Sequence, residues 1–473
     1  MAYVHEVFFP TNPLDKYRSL VGKVYFEQIC DDITDFAAKA GNRTIWHINS
    51  TATGGGVAEM LQTMLGYGQS AGLRWRWLVI GGEEEFFAIT KRIHNGLHGS
   101  SGDGGLLGPV EHDHYMDIIN RNLTELSLLI QPGDYVILHD PQTAGLVGGL
   151  TKLGAKVVWR CHIGCNDFAN TYVDRSWAFL YPCLKDCPAY IFTREEYVPD
   201  WVPGNQVHIV HPSIDSFSPK NQELTTCMCE NILTYVGLLA GKTPETPLVY
   251  TQRNGQPGVV GRKANIVQTK PVDKDTPLMV QISRWDRLKD MRGVMQGFTA
   301  YVVDRTNAHL VLAGPDVSGV TDDPEGLAVY KECEEFWRNL PPKHREKIHL
   351  LSLPMDDVDE NGAMVNSLQR HARIIIQKSL YEGFGLTITE AMWKRRPVVA
   401  SEIGGIQDQI MHGKNGLLVY NPTDLKEFTN NLKCLLEFPD LGIKLGDAAH
   451  ETVKQMFLIP RHIHQYVKIL NSI

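Results

Sequence analysis

Two series of short apolar runs, each alternating with helical patterns, predict an α/β protein with two doubly wound parallel-sheet domains facing each other across a cleft. A chain of 473 residues exceeds the size of one ordinary hydrophobic core, which agrees with two domains. Glycine-rich and polar segments also follow several of the apolar runs directly. These segments therefore lie at the strand ends where α/β proteins bind their ligands.

The candidate strands fall into an early and a late series. The early series is Thr44–Ile48, Trp75–Ile80, Tyr135–His139, Lys156–Cys161, Tyr190–Phe192 and Val207–Val210. The late series is Leu278–Ser283, His309–Ala313, Ile348–Leu351, Arg373–Gln377, Val398–Ser401 and Gly416–Val419. Helical patterns between them include Val57–Leu65, Tyr115–Ile130 and Thr423–Phe438. Apolar runs of this kind are typical of parallel strands that are covered on both faces.

This alternation divides the chain into four parts. We expect an N-terminal domain over residues 1–215, a linker and insertion over 216–275, a C-terminal domain over 276–458, and a C-terminal helix over 459–473 that crosses back to the first domain. The insertion contains a short helical pattern, Asn231–Leu239, and is then rich in Gly, Pro, Gln and Lys. This composition predicts a partly mobile segment or a small lid.

Composition excludes several classes of protein. The net charge is −8 and no long basic run is present, which disfavours nucleic-acid binding. No apolar stretch approaches the roughly 18 residues of a membrane span, and the N-terminus lacks a signal-peptide pattern, so we expect a cytoplasmic protein. The cysteine spacings are not those of a zinc site, and the aspartates near residue 357 have the composition of a solvated loop. We therefore expect no metal and no cofactor.

The segment from Glu382 to Glu390 reads EGFGLTITE and carries the strongest functional signal. It joins a predicted strand to a helix through a glycine turn, so the backbone amides of residues 383–386 would face an anion at the helix N-terminus. Glu382 lies at the strand end and Glu390 lies one to two turns into the helix. Amides for a phosphate and carboxylates for hydroxyl groups together predict a sugar phosphate ligand.

Two other segments of the chain could bind the same kind of ligand. In Ser283–Asp290, Arg284 and Lys289 could converge on one pyrophosphate, the first as a fork of donors and the second as a point charge. In Asn49–Glu59, three successive glycines allow a ligand to approach the backbone closely. This glycine loop has neither the P-loop pattern nor the Gly-x-Gly-x-x-Gly pattern, which disfavours a nicotinamide dehydrogenase.

Polar side chains also follow two strands of the early series. His139-Asp140-Pro141-Gln142 ends one strand and Arg160-Cys161-His162-Ile163 ends the next. His162 could donate a hydrogen bond to a sugar hydroxyl group, and Asp140 could accept one. A lone histidine is more often structural, so this assignment depends on the other segments.

Taken together, these segments resemble the retaining glycosyltransferases of family 4, which have two Rossmann-like domains in the GT-B architecture. Glu382 and Glu390 match the Glu-x7-Glu motif of that family, and Arg284 and Lys289 match its phosphate-binding pair. A narrower resemblance is to the trehalose glycosyltransferring synthases. It runs through Asn49–Thr51, Gly54–Glu59, Glu85–Phe87, His139–Gln142, Trp159–Ile163, Pro212–Asp215, Asp323–Gly326, Val365–Asn366 and Gln369–Arg370.

The resemblance implies a hexosyltransferase that joins glucose from a nucleoside diphosphate glucose (ADP-glucose or UDP-glucose) to free glucose, reversibly giving α,α-trehalose. The implied catalytic residues are Arg284, Lys289, Glu382 and His162. The implied donor-binding residues are Gly54, Gly55, Gly56, Gly383, Phe384, Gly385, Leu386 and Glu390. The implied acceptor-binding residues are Asp140, Gln142 and Asn49. The domain over residues 1–215 would be the acceptor side, and that over 276–458 would bind the nucleotide sugar.

Three departures from the family pattern stand out. The insertion at 229–275 is absent from the short form of the family, Gly164 replaces an expected acidic residue, and Arg395 replaces a glycine at a helix end. The alternatives left open are a trehalose phosphorylase, a transferase with another small acceptor, and a sensor that binds nucleotide sugars without turnover. The nucleotide base, the physiological direction and the oligomeric state, with a homodimer among the choices, cannot be read from the sequence.

Overall fold

The computed structural model describes residues 3–53, 55–317 and 324–473. For Pro324 it describes only the backbone. The chain forms two compact units. One consists of Met1–Ser213 together with Met456–Ile473, and the other of Ile214–Gln455. Each unit contains a sheet that is parallel except for one edge strand, which confirms the predicted α/β class with two Rossmann-like domains.

The first unit contains a seven-stranded sheet in its described part, with the order β1-β3-β2-β4-β5-β6-β7. Its strands are β1 (His5–Val7), β2 (Ile45–Asn49), β3 (Trp75–Val79), β4 (Tyr135–His139), β5 (Lys156–Cys161), β6 (Ala189–Phe192) and β7 (Val207–Ile209). Its helices before the second unit are α1 (Arg18–Val21), α2 (Lys23–Ala40), α3 (Gly56–Ser70), α4 (Glu84–Leu97), α5 (Pro109–Leu129), α6 (Leu146–Lys152) and α7 (Thr171–Leu184). All residues of β2, β4 and β6 are buried, as the apolar runs predicted.

The second unit contains a second seven-stranded sheet among the described residues, with the order β10-β13-β12-β11-β14-β15-β16. The strands are β8 (Val249–Thr251), β9 (Pro257–Val259), β10 (Asn265–Val267), β11 (Leu278–Ile282), β12 (His309–Pro315), β13 (Ile348–Leu353), β14 (Ile374–Gln377), β15 (Val398–Ser401) and β16 (Leu417–Val419). The helices are α8 (Thr226–Val236), α9 (Met291–Tyr301), α10 (Pro324–Arg338), α11 (Pro342–Arg345), α12 (Val358–His371), α13 (Leu386–Trp393), α14 (Leu425–Glu437) and α15 (Pro439–Met456).

The strand order determines where each sheet can hold a ligand. In the second unit the chain leads from β11 to β12 and β13 on one side, and from β14 to β15 and β16 on the other. In the first unit the same reversal occurs between β2 and β4. The connections leave each reversal point in opposite directions, so a crevice opens at the carboxyl ends of the two central strands. Most of the polar segments identified in the sequence follow these central strands, and the segment that contains His162 follows β5, the neighbour of β4.

Four short strands carry no clear signal in the sequence. Strands β1 and β10 are antiparallel edge strands of three residues each, and β8 and β9 form a small separate hairpin. Three residues are too few to show the alternation that marks a half-buried strand. Strands β1 and β10 gain their stability from a partner strand that is distant in sequence, whereas β8 and β9 pair with each other across a short turn.

The segment 216–275 lies within the second unit rather than forming a body of its own. Helix α8 packs against α12, and β10 extends the sheet beside β13. The buried carboxylate of Glu360 accepts hydrogen bonds from the backbone N–H groups of Gly261 and Arg262, each at 2.7 Å. Asp359 forms an ion pair with Arg253 at 3.0 Å. Of the aspartates near 357 that were expected in a solvated loop, Asp357 instead caps α12, and Asp359 anchors this segment together with the neighbouring Glu360.

The last helix, α16 (Ile459–Ser472), belongs to the first unit. It packs against α2, and the ammonium of Lys39 donates to the side chain of Asn471 at 2.6 Å. Arg160 on β5 is fully buried and its guanidinium donates to His462 at 2.7 Å and to the hydroxyl group of Tyr466. This helix therefore supplies hydrogen-bond partners for a charge in the middle of the first sheet. Within the described residues, no helix has the length and apolarity needed to cross a bilayer.

The edge of the second sheet predicts a dependence of stability on pH. His349 lies between His309, at 2.9 Å, and the amide oxygen of Gln268, at 3.0 Å. Burial lowers the pKa of His349 to about 3. The unfolded chain then binds one more proton than the folded chain between pH 6.5 and 3, so this residue removes roughly 1.4 kcal/mol of stability per pH unit as the pH falls through that window.

The variant His349→Leu cannot take up this proton. We expect its free energy of unfolding to fall less steeply than that of the unchanged chain when chemical denaturation is repeated at pH 7, 6 and 5. An equal slope in the two proteins would contradict the assignment. A difference at pH 7 alone would report only the lost hydrogen bonds, so the slope is the quantity to compare.

Candidate active site

The loop after β11 is held in place by buried side chains. Trp285 is buried, and its indole N–H donates to the carbonyl oxygen of Pro315 at 3.0 Å. Asp286 accepts from the N–H of Leu288 at 2.8 Å, and the Gln281 amide donates to the carbonyl oxygen of Lys289 at 2.7 Å. These contacts fix the backbone on both sides of the loop and so determine the direction in which the Lys289 side chain points.

The loop after β14 is joined directly to the loop after β11. The N–H of Leu380 donates to the carbonyl oxygen of Leu288 at 2.7 Å, and the buried ammonium of Lys378 contacts the carboxylate of Asp290. Asp290 has a left-handed backbone (φ 48°) and caps α9 by accepting from Gly293 at 3.1 Å. These contacts bring together two loops that are about ninety residues apart in sequence.

Lys289 and Glu382 form an ion pair at the ends of these two loops. The distance from the ammonium to the Oε1 atom is 2.8 Å, and the side chains are only 14% and 12% exposed. The Oε2 atom of Glu382 accepts from Ser379 at 3.1 Å and from Gln377 at 3.3 Å. An ammonium has three donors, and Glu382 is the one side-chain partner of Lys289 among the described residues, so two donors stay available while Glu382 holds the ammonium in position.

The turn that follows Glu382 is organised for close approach to the backbone. Gly385 has φ +86° and caps the N-terminus of α13, a conformation that disfavours any residue with a Cβ atom. Gln409 donates to the carbonyl oxygen of Phe384 at 2.5 Å and accepts from the hydroxyl group of Thr389 at 2.6 Å. Gly405 lies so close that an added Cβ would come within 2.7 Å of the Phe384 backbone. The first-turn N–H groups of a helix have no intrahelical partner, and a rigid turn keeps them directed at one point.

Glu390 and Arg284 are placed differently from Lys289 and Glu382. Glu390 is buried on α13 at 8% exposure. Burial lowers the pKa of Lys394, while the charge of Glu390 opposes that shift. Arg284 is 68% exposed and pairs with Asp286 at 3.0 Å. In the described chain, no hydrogen bond or ion pair connects Arg284 to Lys289 or Glu382, so its convergence with Lys289 on a pyrophosphate stays a prediction.

In the first unit, Asn49 shapes the glycine loop. Its amide donates to the carbonyl oxygen of Thr51 at 2.7 Å, and its Oδ1 atom accepts from the indole of Trp77 at 2.8 Å. Gly55 has φ +89°, and Gly56 opens α3 with no atom within 4 Å of an added Cβ. Gly54 lies outside the described residues. Both functional groups of Asn49 are thus used within the protein, which favours an indirect role at an acceptor site.

Asp140 and His162 meet at the ends of β4 and β5. Asp140 has a left-handed backbone (φ 64°), and its carboxylate accepts from the N–H of His162 at 2.8 Å. Burial raises the pKa of Asp140 to about 7, with the His162 N–H and the charge of Arg160 opposing the shift. Gln142 is half-buried and makes no side-chain hydrogen bond with the described residues. This amide is therefore available to a ligand.

The structure gives a physical reason for two of the departures from the family pattern. A Cβ at Gly164 would lie 2.4 Å from the ring of Tyr197, so an acidic residue does not fit there. Arg395 follows α13 in a left-handed conformation with φ 57°, the backbone that a helix-end glycine adopts. The arginine therefore keeps the turn that the expected glycine would make.

Sequence reasoning gave no role to several residues that support the candidate residues of each unit. In the second unit they are Gln377, Lys378, Ser379, Asp290, Gln409 and Gly405, and in the first unit they are His47 and His139, of which Asp290 and His139 were named only as members of strand-end segments. The glycine pair at 404–405, directly after β15, was the one usable signal, since glycines at a strand end allow close approach. Among the described residues, no group of three or more His, Cys, Asp or Glu side chains is arranged to hold a metal ion.

The turn itself can be tested through Gln409. We expect Gln409→Ala to lower the free energy of unfolding by about 1–3 kcal/mol, because it leaves the buried Phe384 carbonyl and Thr389 hydroxyl groups without their partner. The control is Gln407→Ala, since Gln407 is exposed and makes only a 3.3 Å contact with Gly404. Urea denaturation of both variants measures the effect. Equal stability of the two variants would show that Gln409 does not hold the turn.

Comparison with known proteins shows the family to which the chain belongs. A family model described as "Trehalose synthase, N-terminal domain" matches residues 47–199, and one described as "Glycosyl transferases group 1" matches residues 262–452. A trehalose synthase from Pyrococcus horikoshii is 32% identical over 460 residues, which are 97% of this chain and 96% of the relative. A trehalose phosphorylase from Pleurotus pulmonarius is 24% identical over 93% of this chain and 58% of its own length.

The fold has solved counterparts as well. A structure described as "Trehalose-6-phosphate from E. coli bound with UDP-2-fluoro glucose" covers 91% of this chain and 99% of its own, with a TM-score of 0.67 and 12% identity. At that identity the likeness concerns the fold alone. Full-length similarity to trehalose synthases, together with the group 1 match over the Lys289–Glu382 region, leads to one conclusion: the chain belongs to the trehalose synthase family of glycosyltransferases and has the GT-B fold.

Proposed function

We propose that this protein is a retaining glucosyltransferase that joins glucose from a nucleoside diphosphate glucose to free glucose and so makes α,α-trehalose, reversibly. The observation that carries the proposal is the Lys289–Glu382 ion pair, which lies at the reversal point of the second sheet beside the turn at 383–385. A cation, a set of amides and a carboxylate at one point fit a sugar joined to a phosphate.

Lys289 and the amides near α13 act on the leaving group. When the bond from glucose to the diphosphate breaks, negative charge grows on the phosphate oxygen. Groups already fixed around that oxygen stabilise the charge without reorganising, and each such donor is worth about 3–4 kcal/mol. The ion pair with Glu382 and the bond from Gln281 to the Lys289 backbone hold the ammonium in place before the ligand arrives. Arg284 adds a second positive charge in this assignment, once it exchanges Asp286 for the diphosphate.

Glu382 positions the glucose rather than attacking it. A carboxylate nucleophile would need a free oxygen beneath the reacting carbon. Both oxygens of Glu382 are already engaged, one by Lys289 and the other by Ser379 and Gln377. Such a carboxylate is better suited to accept hydrogen bonds from sugar hydroxyl groups through its remaining lone pairs. Retention then follows from attack on the face that the diphosphate leaves, with the leaving phosphate accepting the proton of the attacking hydroxyl group. Glu390 binds the ribose in this assignment.

The residues of the first unit bind the sugars in this proposal. His162 contacts a hydroxyl group of the transferred glucose, while Asp140 and Gln142 bind the acceptor. Asn49 supports the acceptor site indirectly, through the shape of the glycine loop, because both of its side-chain groups bond to the protein. Backbone amides of Gly55 and Gly56 approach the donor.

A donor panel tests the proposal directly. Purified protein is incubated with glucose and, in separate reactions, with ADP-, UDP- or GDP-glucose. The expected products are a nucleoside diphosphate and a non-reducing disaccharide whose NMR spectrum shows a single α-anomeric signal, because the two glucose units of α,α-trehalose are equivalent. If none of the three donors yields a disaccharide, and trehalose with any of the three diphosphates yields no nucleotide sugar, the proposal is wrong.

A second candidate is a trehalose phosphorylase, which the match to the Pleurotus protein favours. It would use inorganic phosphate in place of the diphosphate at Lys289. Incubation of trehalose with phosphate separates the two functions, because only a phosphorylase releases glucose 1-phosphate without any nucleotide. Formation of that product at a rate above nucleotide-dependent synthesis would favour the phosphorylase.

The positive charge of Lys289 can be tested for its role in catalysis. We expect Lys289→Ala to lower kcat by roughly 10²–10³-fold, since it removes one fixed donor from the leaving group. Its control is Lys414→Ala, which removes an exposed lysine of the same unit. Steady-state kinetics with the best donor measure the effect, and circular dichroism checks that both variants are folded. A folded Lys289→Ala variant with unchanged kcat would exclude the phosphate role.

The glycine loop can be tested with a substitution that should lower activity without lowering stability. Gly56→Ala places a methyl group at the first residue of α3, where no described residue outside the adjoining backbone lies within 4 Å, so the melting temperature should stay equal or rise. If the donor approaches this backbone, the methyl group should raise KM or lower kcat at least several-fold. Gly148→Ala is the matched control, because Gly148 also lies in a helix with open space around it. Loss of activity in neither variant would mean that the donor does not approach Gly56.

A further inference from the structure

A line of three histidine rings crosses the first sheet from its interior to the candidate site. His47 lies on β2, His139 ends β4, and His162 follows β5, and these strands are neighbours in the sheet. The Nδ1 atom of His47 lies 3.1 Å from Nε2 of His139, and Nδ1 of His139 lies 2.9 Å from Nε2 of His162. The planes of successive rings are inclined by 19° and 21°, with centroids 5.4 and 5.2 Å apart. The three imidazoles therefore form one continuous hydrogen-bonded chain.

The two ends of this chain differ. His47 and His139 are fully buried, and the Nε2 atom of His47 has no partner among the described residues. His162 is only partly buried, and its Nδ1 atom makes no hydrogen bond with the described residues. The chain thus has a closed inner end at His47 and an open outer end at His162.

Neutral rings restrict where the hydrogens can lie. Burial lowers the pKa of His47 to about 3 and holds the pKa values of His139 and His162 well below the ordinary value. Each neutral imidazole has one N–H donor and one acceptor nitrogen. In a chain of such rings all donors must point the same way. Either every Nδ1 carries the hydrogen, or every Nε2 does.

The surroundings of His47 select between these two arrangements. The buried indole N–H of Trp75 has no partner in the described chain, and its ring meets His47 edge-on at 5.2 Å. The charge of Arg160 also acts on His47 and is one of the causes that lower its pKa. A lone pair on Nε2 of His47 is complementary to the indole N–H of Trp75 and to the positive charge of Arg160. A hydrogen on Nε2 would instead add a second buried donor without a partner, close to a positive charge, which is costly.

We propose that His47 and His139 are positioning residues, which hold His162 as the Nδ1–H tautomer and so make it a fixed hydrogen-bond donor towards the ligand. Because the direction of donation is set inside the sheet, His162 cannot reverse its role to accept a hydrogen bond from a hydroxyl group. That the oxygen facing His162 belongs to glucose rests on the proposed function. The tautomer itself does not.

Nitrogen NMR of the full chain, labelled with 15N at histidine, tests the tautomer without any assay of activity. The two- and three-bond couplings from the hydrogens on the ring carbons, together with the 15N chemical shifts, identify which nitrogen carries hydrogen. The signals of His47, His139 and His162 are assigned by their loss in the variants His47→Asn, His139→Gln and His162→Gln. We expect Nδ1–H at all three positions at pH 7. Nε2–H at His162 would overturn the proposal.

A pair of substitutions at His47 tests whether this residue controls the tautomer of His162 through His139. Asparagine can place its amide N–H near the position of Nδ1, so His47→Asn keeps a donor to His139, whereas His47→Leu removes it. We expect His47→Leu to leave His162 with a mixture of both tautomers and to lower kcat/KM by about tenfold, the value of one lost hydrogen bond. His47→Asn should retain the Nδ1–H form and most of the activity. His5→Asn, at an exposed histidine, is the control.

The outcomes separate the two proposals. Equal losses in His47→Asn and His47→Leu, with an unchanged tautomer at His162, would show that His47 only fills space and would overturn the positioning role. An Nδ1–H tautomer at His162 in a protein that makes no trehalose would leave the tautomer assignment intact and reject the proposed function instead. Should neither His47 variant fold, the spectrum of the unchanged protein still decides the tautomer.

Discussion

The ion pair between Lys289 and Glu382 is the contact on which the candidate donor site depends. Strands β11 and β14 are neighbours because the order of the second sheet reverses between them, so the loops that follow them meet. A half-buried ammonium beside the N-terminus of α13 would be unfavourable without an anionic partner. Glu382 supplies that partner, and Ser379 and Gln377 keep its other oxygen in place. The same contact therefore joins the two loops and holds a positive charge at the end of the second sheet.

The first unit uses the same topology with different chemistry. Strands β4 and β5 end in His139 and in the segment containing His162, and burial keeps both imidazoles neutral. Arg160 lies among them, but its charge is directed to His462 and Tyr466 of the final helix. A ligand at this sheet edge thus meets neutral donors and the carboxyl group of Asp140. Such groups suit sugar hydroxyls, whereas the cation and amides of the second unit suit phosphate.

Rigid support distinguishes both sites from ordinary surface loops. The side-chain amides of Gln281 and Gln409 donate hydrogen bonds to backbone carbonyl groups. Asn49 donates to the backbone of Thr51 in the glycine loop and accepts from the indole of Trp77. Fixed donors stabilise developing charge better than mobile ones, since no reorganisation is needed when the charge appears. Polar residues that seemed unremarkable in the sequence are thus the ones that set the geometry.

The sequence by itself determined the class of fold, the central parallel strands and the residues at their ends, because apolar periodicity and glycine or charged motifs are local patterns. It also placed Lys289 and Glu382 at strand ends of one domain. Only the tertiary structure decided that these two residues form a pair, that Arg284 turns to Asp286, and that residues 216–275 join the second unit. It alone aligned His47, His139 and His162. The partners in these contacts, apart from the Arg284–Asp286 pair, are separated by tens of residues, and a local pattern carries no information about which distant strand will lie beside it.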